Sequence, residues 1–338
     1  SSGGDANRQG LADRNNRCNQ ICKLRNLCLG EVAPWVKKRN EKERRVQEAF
    51  KEMLLVAFFR DHYAPLRLRG AGAKRTAILY AGMLRRFHEF TRTAPTLTDL
   101  TNETVARFLA HRAARVGPHS VERERNQLLA MWRLAHQLRL IDELPLIPPA
   151  TLPRKVPKAW TVPELNRLLA AAAEQPGFVG RSRAAVWWPA LIHSLYETAE
   201  RIGAIMACRP GDLDGQYLSV AAEYRKGGKE SRVYTLSPQT AERCCTIAGR
   251  ERLFEWHRCP THLWGHFNAI TKRAGLYAPR LGFHTLRRSA ASHLKAAGGD
   301  PVALLGHADP RVTKRYLDPR ITERGQPKPW EILPRLDD

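Results

Sequence analysis

A proline-dense segment near the middle of the chain most constrains the fold. Six prolines fall within residues 144–163, and proline at this density cannot continue a helix. On either side of it, apolar residues recur at helical spacing, for example Leu79, Met83 and Phe87 before the segment. The sequence therefore predicts two largely helical regions joined by an extended linker.

In the second region, a capping box formed by Thr161 and Glu164 and a Ser237-Pro238 pair predict two helix starts. This region departs from pure helix at one point. Two β-prone runs, Gln216–Arg225 and Ser231–Leu236, flank a central Gly227-Gly228 pair, which is typical of a β-hairpin. The predicted fold is mainly α with this small hairpin. The predicted organisation is a basic arm (1–45), a helical domain (46–145), a linker (146–160), a second domain (161–316) and a tail (317–338).

The charge balance of the chain indicates which kind of molecule it binds. The chain has 56 Lys and Arg against 33 Asp and Glu, a net charge of +23. Such an excess favours a polyanion as partner, and an arginine guanidinium binds phosphate in a bidentate way. We therefore predict nucleic acid binding, ahead of an acidic protein or an anionic membrane. The basic residues predicted to contact the DNA backbone are Lys37, Lys38, Arg39, Arg85, Arg86, Arg123, Arg125, Arg154, Lys155 and Lys158, together with Lys229 and Arg288 in the second domain.

Seven cysteines, an odd number in a long chain, predict reduced thiols rather than a disulfide framework. Two sets could in principle bind zinc, although their spacing is irregular and ordinary free thiols fit better. They are Cys18, Cys22 and Cys28, and Cys259, His262 and His266 after the Cys244-Cys245 pair.

Four residues near the carboxyl end share a pattern of interest. His284 and Arg287 are three positions apart and would project from one face of a helix. Two short helices, each beginning with Asp-Pro, follow; His307 lies between them, and Tyr316 comes nine positions later. Alone, these residues have ordinary explanations, since histidine and arginine occur at this spacing by chance in any basic helix and a lone tyrosine is usually a packed aromatic.

With two further motifs, these residues resemble the tyrosine recombinases, the phage integrase family. Residues 198–201 (Thr-Ala-Glu-Arg) resemble the Thr-Gly-Leu-Arg box of that family, and residues 226–229 (Lys-Gly-Gly-Lys) its lysine hairpin. All five motifs occur in the family's order over about residues 160–316. The resemblance implies a helical core-binding domain over 46–145 and an α+β catalytic domain after the linker.

The resemblance also implies a reaction. Tyr316 would attack a DNA phosphodiester to give a 3′-phosphotyrosine and a free 5′-hydroxyl, a covalent intermediate that another strand can reverse. His284 would assist the tyrosine proton, and His307 would hydrogen-bond a phosphate oxygen.

The cationic residues of the motifs would stabilise charge in the transition state. Arg201 and Arg287 would bind the non-bridging oxygens, and Lys226 would protonate the leaving 5′-oxygen, with Lys229 as the alternative acid. With fixed cations in these roles, no metal or other cofactor is implied.

Two positions depart from the family pattern. The family often has a carboxylate three residues after the first arginine, where this chain has Ala204. Either the site loses the orientation that this carboxylate gives, or another acid replaces it. Arg288 replaces a histidine that is common in the family, and we expect this replacement to have no effect on activity.

The implied partner is a double-stranded DNA recombination site, bound by a homo-tetramer that is monomeric or weakly associated when free. An accessory directionality factor, a cytoplasmic location at the nucleoid and the absence of a membrane span are further expectations. The tail, with Trp330, Ile332 and Leu333, is expected to dock on a neighbouring copy or on its own chain. The alternatives are a type IB topoisomerase-like nicking and closing enzyme and a non-catalytic DNA-binding protein.

Overall fold

The computed structural model describes residues 52–70, 72–153, 156–225, 227 and 230–324. The chain divides into two compact units between Leu152 and Pro153, within the stretch predicted as a linker. Several predicted site residues lie outside the described part of the chain: Lys37, Lys38, Arg39, Arg154, Lys155, Lys226 and Lys229.

The first unit is helical, as predicted. Its elements are α1 (Leu55–Phe58), a π-helical turn (Phe59–Tyr63), α2 (Ala64–Arg67), α3 (Ala73–Thr91), a 3-10 turn (Leu97–Asp99), α4 (Asn102–Ala113) and α5 (Pro118–Gln137). The apolar stripe of α3 puts Met83 and Phe87 into the core, where Phe87 meets Phe108 edge to face. Leu79, predicted in the same stripe, is exposed, and the neighbouring Tyr80 is buried instead.

The second unit contains the remaining described elements. Its helices are α6 (Val162–Ala173), α7 (Ala184–Thr198), α8 (Ile202–Ile205), α9 (Pro238–Ile247), α10 (Pro260–Arg273), α11 (Phe283–Ala296), α12 (Pro301–Leu305), α13 (Pro310–Thr313) and α14 (Pro319–Thr322). Its strands are β1 (Phe178–Val179), β2 (Ser182–Arg183), β3 (Leu213–Asp214), β4 (Tyr217–Val220) and β5 (Arg232–Thr235). α7 runs through the middle of its core, with Trp187, Leu191 and Leu195 buried.

The helix starts predicted from side-chain caps are confirmed. Thr161 and Glu164 form a capping box at α6, and Ser237 accepts the N–H of Thr240 at α9. Asp300 and Asp309 cap α12 and α13 in the same way, each followed by proline. These caps fix where the short helices near Tyr316 begin.

The sheet differs from the prediction in detail. β4 and β5 pair antiparallel, but the first strand ends at Val220, because Ala222–Tyr224 forms a 3-10 turn. β3 adds a third strand and β1–β2 form a separate small hairpin, neither of which was predicted. Strands of two residues carry too short an alternation to be recognised in a sequence.

The second unit extends beyond both predicted limits. Ala159 and Trp160, expected in the linker, are buried, and the backbone N–H of Ala159 donates to Asp318 Oδ2 at 2.8 Å. Asp318 and Ile321, expected in the tail, are also buried. The two ends of the unit therefore pack against each other, which brings the segment after Tyr316 into the core.

Among the described cysteines, Cys208 and Cys244 are buried, Cys245 and Cys259 are exposed, and all four are free thiols. The remaining three lie outside the described residues. No helix in the described ranges is long and apolar enough to cross a membrane.

Candidate active site

The side chain of Tyr316 lies at the centre of a group of basic residues in the second unit. Its ring centroid is 5.1 Å from that of His284 and 5.0 Å from that of His307. The guanidinium carbon of Arg287 lies 5.8 Å from the same centroid. Three predicted residues are thus brought together around the phenol ring of a fourth, from which they lie up to 32 positions away in the sequence.

Helix α11 supplies two of these groups. His284 and Arg287 lie on one face of it, as their spacing predicted, but their environments differ. His284 keeps an exposed edge, whereas Arg287 is fully buried. Arg287 thus lies below the surface of the site, and His284 lies at its surface.

His307 is positioned by the end of α12. Gly306 ends this helix with a positive φ of 64°, and a Cβ there would lie 2.6 Å from the guanidinium carbon of Arg232. The next residue, His307, makes a 3.0 Å hydrogen bond between Nδ1 and Thr313 Oγ1. This contact fixes the imidazole and leaves its Nε2 free of protein partners among the described residues.

Arg287 is held by backbone carbonyls. Its Nη1 donates to the carbonyl oxygen of Ala199 and its Nη2 to that of Leu305, at 2.7 Å for the latter. Ala199 ends α7 in the left-handed region, with φ at 51°, which turns its carbonyl toward the arginine. The Nε atom of Arg287 is buried and has no hydrogen-bond partner among the described residues.

Arg201 follows directly after this turn. It caps the start of α8 and is half-buried. No described residue accepts a hydrogen bond from its guanidinium or forms an ion pair with it. Arg201 is nevertheless close enough to lower the pKa of Arg287, after the larger effect of burial.

Glu200 provides the negative charge of the site. Its carboxylate is fully buried, accepts Arg225 Nε at 2.5 Å and Tyr234 Oη at 2.8 Å, and lies 4.0 Å from Arg287 Nη1. Burial alone would raise the pKa of Glu200, but the hydrogen bonds from Tyr234, the Arg201 N–H and Arg225 hold it below its ordinary value. Glu200 is therefore ionised.

Both histidines of the site are neutral near pH 7. Loss of water around the ring, and then the charges of Arg288, Arg287 and Arg201, lower the pKa of His284 to about 4. Burial and the same two site arginines also lower the pKa of His307. A neutral imidazole can accept a proton from a phenol.

The predicted DNA-contact residues are not all on the surface. Arg85, Arg123 and Lys158 are exposed, and Arg288 is half-buried beside the site. Arg125, predicted to contact the DNA backbone, is buried, where its guanidinium donates to the carbonyl of Ile147 and pairs with Glu122 at 3.0 Å. The exposed position that such a contact implies is therefore wrong for Arg125, and the contact itself stays a prediction.

Arg86 is a milder case of the same kind. It is half-buried, and its Nε donates to Glu124 Oε1 at 2.9 Å.

Sequence reasoning missed the residues that support the site. No role was predicted for Glu200, Arg225, Arg232 or Thr313, although Glu200 stands inside the quoted arginine box. A charged residue directly before Arg201, in a stretch that is otherwise buried, was the available signal. The others are recognisable only from their contacts.

Comparisons with known proteins show which class of proteins has this fold. Residues 159–323 match the model of the phage integrase family. The tyrosine recombinase XerD of Rhizobium meliloti (strain 1021) is 29% identical over 272 residues, which cover 73% of this chain and 86% of XerD.

Solved structures show the same fold. A lambda integrase dimer bound to a COC′ core site has a TM-score of 0.64 at 18% identity, covering 92% of this chain and 87% of that one. A lambda integrase tetramer bound to a Holliday junction has a TM-score of 0.64 at 18% identity, covering 82% and 80%. The second unit therefore matches the phage integrase family, and the chain is similar to a tyrosine recombinase over most of its length.

Proposed function

We propose that this protein is a site-specific DNA recombinase that cuts and rejoins strands through a 3′-phosphotyrosine on Tyr316. The observation that carries the proposal is the meeting of His284, Arg287 and His307 around the Tyr316 ring. Arg201, half-buried near this group, and the buried Arg287 supply the positive charge that a phosphodiester requires.

In the cleavage step, Tyr316 Oη forms a bond to phosphorus while the bond from phosphorus to the 5′-oxygen breaks. His284, neutral near pH 7, takes the phenol proton, and Lys226 gives a proton to the leaving 5′-oxygen. Rejoining reverses the step with a 5′-hydroxyl from either the same or another strand.

The growing charge on the non-bridging oxygens falls to Arg201, Arg287 and His307. Arg201 has donors free of described protein partners, and His307 directs Nε2 away from its Thr313 contact. When Thr313 donates to Nδ1, Nε2 carries the proton and can donate to a phosphate oxygen. One donor of this kind is worth about 2.7–4 kcal/mol in comparable oxyanion sites.

The partner we propose is double-stranded DNA, bound at a recombination site by a tetramer of this chain, in the cytoplasm at the nucleoid. The net charge of +23 and the neighbours' DNA-bound assemblies support this partner and stoichiometry. An accessory directionality factor remains a prediction.

The test uses nicked duplexes tiled across the DNA that flanks the gene, so that the cleaved strand is lost and the adduct accumulates. Wild-type protein should form an SDS-resistant adduct, and Tyr316→Phe should bind the same DNA without one. The matched control is Tyr277→Phe, a half-exposed tyrosine beside Lys272, which should keep the adduct. An undiminished Tyr316→Phe adduct contradicts the assignment.

Two further outcomes separate the alternatives. A wild-type protein that binds without any adduct is a non-catalytic DNA-binding protein. One that relaxes supercoiled DNA but never joins two sites is a nicking and closing enzyme.

A further inference from the structure

We infer that Glu200 is the positioning carboxylate of this active site, holding the two phosphate-binding arginines in the absence of an acid at Ala204. The inference rests on the proposed cleavage reaction. Among the described residues Glu200 binds Arg201, Arg225 and Tyr234 and not Tyr316, so its action runs through other side chains.

The first observation is the unusual burial of this charge. The Glu200 side chain has no exposed surface, and an unpaired carboxylate in such a place would be strongly unfavourable. Its hydrogen bonds from Tyr234, Arg225 and the Arg201 N–H compensate for the lost water. A buried charge with this many donors has one fixed position.

The second observation is the charge of the two arginines. Arg287 is fully buried, and within the described residues Glu200 is the sole carboxylate at ion-pair distance from it. Arg201 and Arg287 repel each other, which is visible in the lowered pKa of Arg287 after the effect of burial. Without Glu200, two like charges would share a space of low dielectric with no counter-charge.

The third observation is that Glu200 fixes backbone as well as charge. Its Oε2 accepts the Arg201 N–H at 3.0 Å, directly after the left-handed turn at Ala199. The carbonyl of that same Ala199 accepts Arg287 Nη1. One carboxylate thus sets the turn from which Arg201 projects and to which Arg287 is bound.

Ala204 cannot take the role that we assign to Glu200. It is buried on α8, with a methyl group that can neither accept a hydrogen bond nor balance a cation. Glu200, four residues earlier in the sequence, accepts hydrogen bonds and provides a negative charge, as Ala204 cannot.

The same carboxylate also reaches the base of the lysine hairpin. Arg225 donates through Nε to Glu200 and through Nη1 to the carbonyl oxygen of Glu230, at 2.9 Å for the latter. Arg225 and Glu230 flank the loop that contains Lys226. The hairpin is therefore the competing route by which Glu200 could act.

The test compares single-turnover cleavage by wild type and Glu200→Gln, in the full chain at saturating nicked duplex. Glutamine keeps the shape and removes the charge. A misplacement of about 1 Å costs roughly 10²-fold in rate, so we expect a cleavage rate about 10²-fold slower with unchanged DNA affinity. Glu200→Asp, which keeps the charge on a shorter arm, should recover part of the rate and remains informative if glutamine prevents folding.

The matched control is Glu197→Gln. Glu197 lies one turn earlier on α7, where it accepts the Ser237 N–H and the Thr240 hydroxyl at the start of α9, away from the site. If the Glu200 effect were general destabilisation, both variants would lose melting temperature and cleavage together. We expect Glu197→Gln to cleave at the wild-type rate once folded.

A duplex with sulfur at the 5′-bridging position separates the arginines from the hairpin. A thiolate leaves with little need of an acid, so a defect in Lys226 would be rescued and a defect in the arginine pair would not. We expect no rescue for Glu200→Gln. Rescue, or a wild-type rate in Glu200→Gln, overturns the inference, whereas a wild-type protein without adduct overturns the proposed function instead.

Discussion

Each of the two units buries one glutamate among arginines, and the two clusters differ in how the arginines use their donors. In the first unit, Glu124 accepts Arg86 Nε at 2.9 Å and Arg112 Nε at 2.8 Å, so both guanidinium groups are bound directly to the carboxylate. In the second unit, Glu200 binds Arg225 Nε directly at 2.5 Å, but it lies 4.0 Å from Arg287 and binds Arg201 only through its backbone N–H.

This difference separates a structural ion network from a binding site. The arginines of the Glu124 network have their charge matched by direct contact, whereas in the site around Tyr316 the guanidinium of Arg201 has no partner among the described residues. Arginine content alone does not distinguish the two, since both regions are rich in it. The distinction lies in which donors remain for a ligand.

The largest expected effects break the catalytic cluster itself. Lys226→Ala should slow cleavage of ordinary DNA by about 10²–10⁴-fold and recover most of that rate on the 5′-bridging sulfur substrate. Arg201→Ala should slow it by about 10²–10³-fold without recovery, because its task is charge stabilisation on the non-bridging oxygens. Rates on the two substrates, measured side by side, check both. Rescue of Lys229→Ala but not of Lys226→Ala would assign the acid to Lys229.

The comparison itself is tested by Glu124→Gln. Removing one partner of a buried ion pair typically costs about 3–5 kcal/mol. Arg86 and Arg112 would lose their counter-charge, but both keep some contact with water, so we expect a loss at the lower end of this range. Chemical denaturation should show this loss, while cleavage per folded molecule stays at the wild-type rate. A cleavage defect in a folded Glu124→Gln protein would show that the network takes part in the reaction.

A smaller effect concerns the titration of His284. The lowered pKa, about 4, means that the imidazole is neutral above this pH and charged below it. The unfolded chain binds the proton more readily, so this residue makes the free energy of unfolding fall as pH drops from about 6.5 towards 4. NMR titration of His284 checks the value, and Arg288→Ala should raise it by removing a nearby cation. A measured pKa of 6.5 or higher would mean that burial and the nearby arginines do not lower the pKa of His284.

The smallest expected effect sharpens the surface assignment in the first unit. Arg123 is exposed, whereas Arg125, two residues away, is buried and paired. If Arg123 contacts a phosphate, Arg123→Ala should reduce the slope of log affinity against log salt by roughly 0.9, and Arg125→Ala should not. Equal slopes for wild type and Arg123→Ala would remove Arg123 from the DNA interface.

Much of the fold follows from local sequence. The capping box at Thr161, the Asp-Pro starts at Asp300 and Asp309, and the helical stripe around Phe87 were predicted and are present, because each depends on neighbours in the chain. The grouping of His284, Arg287, His307 and Tyr316 was expected from a resemblance in motif order, and the structure brings these four together.

Local sequence did not predict the support of that site. Arg125 and Arg123 look alike in a basic helix, and only packing against the carbonyl of Ile147 makes one of them internal. Glu200 differs from an ordinary surface glutamate only because Arg225 and Tyr234, 25 and 34 residues away, close over it. The sequence by itself determined which groups are available for phosphate chemistry. The tertiary structure decided which of their charges are matched, since that depends on contacts between residues far apart in the chain.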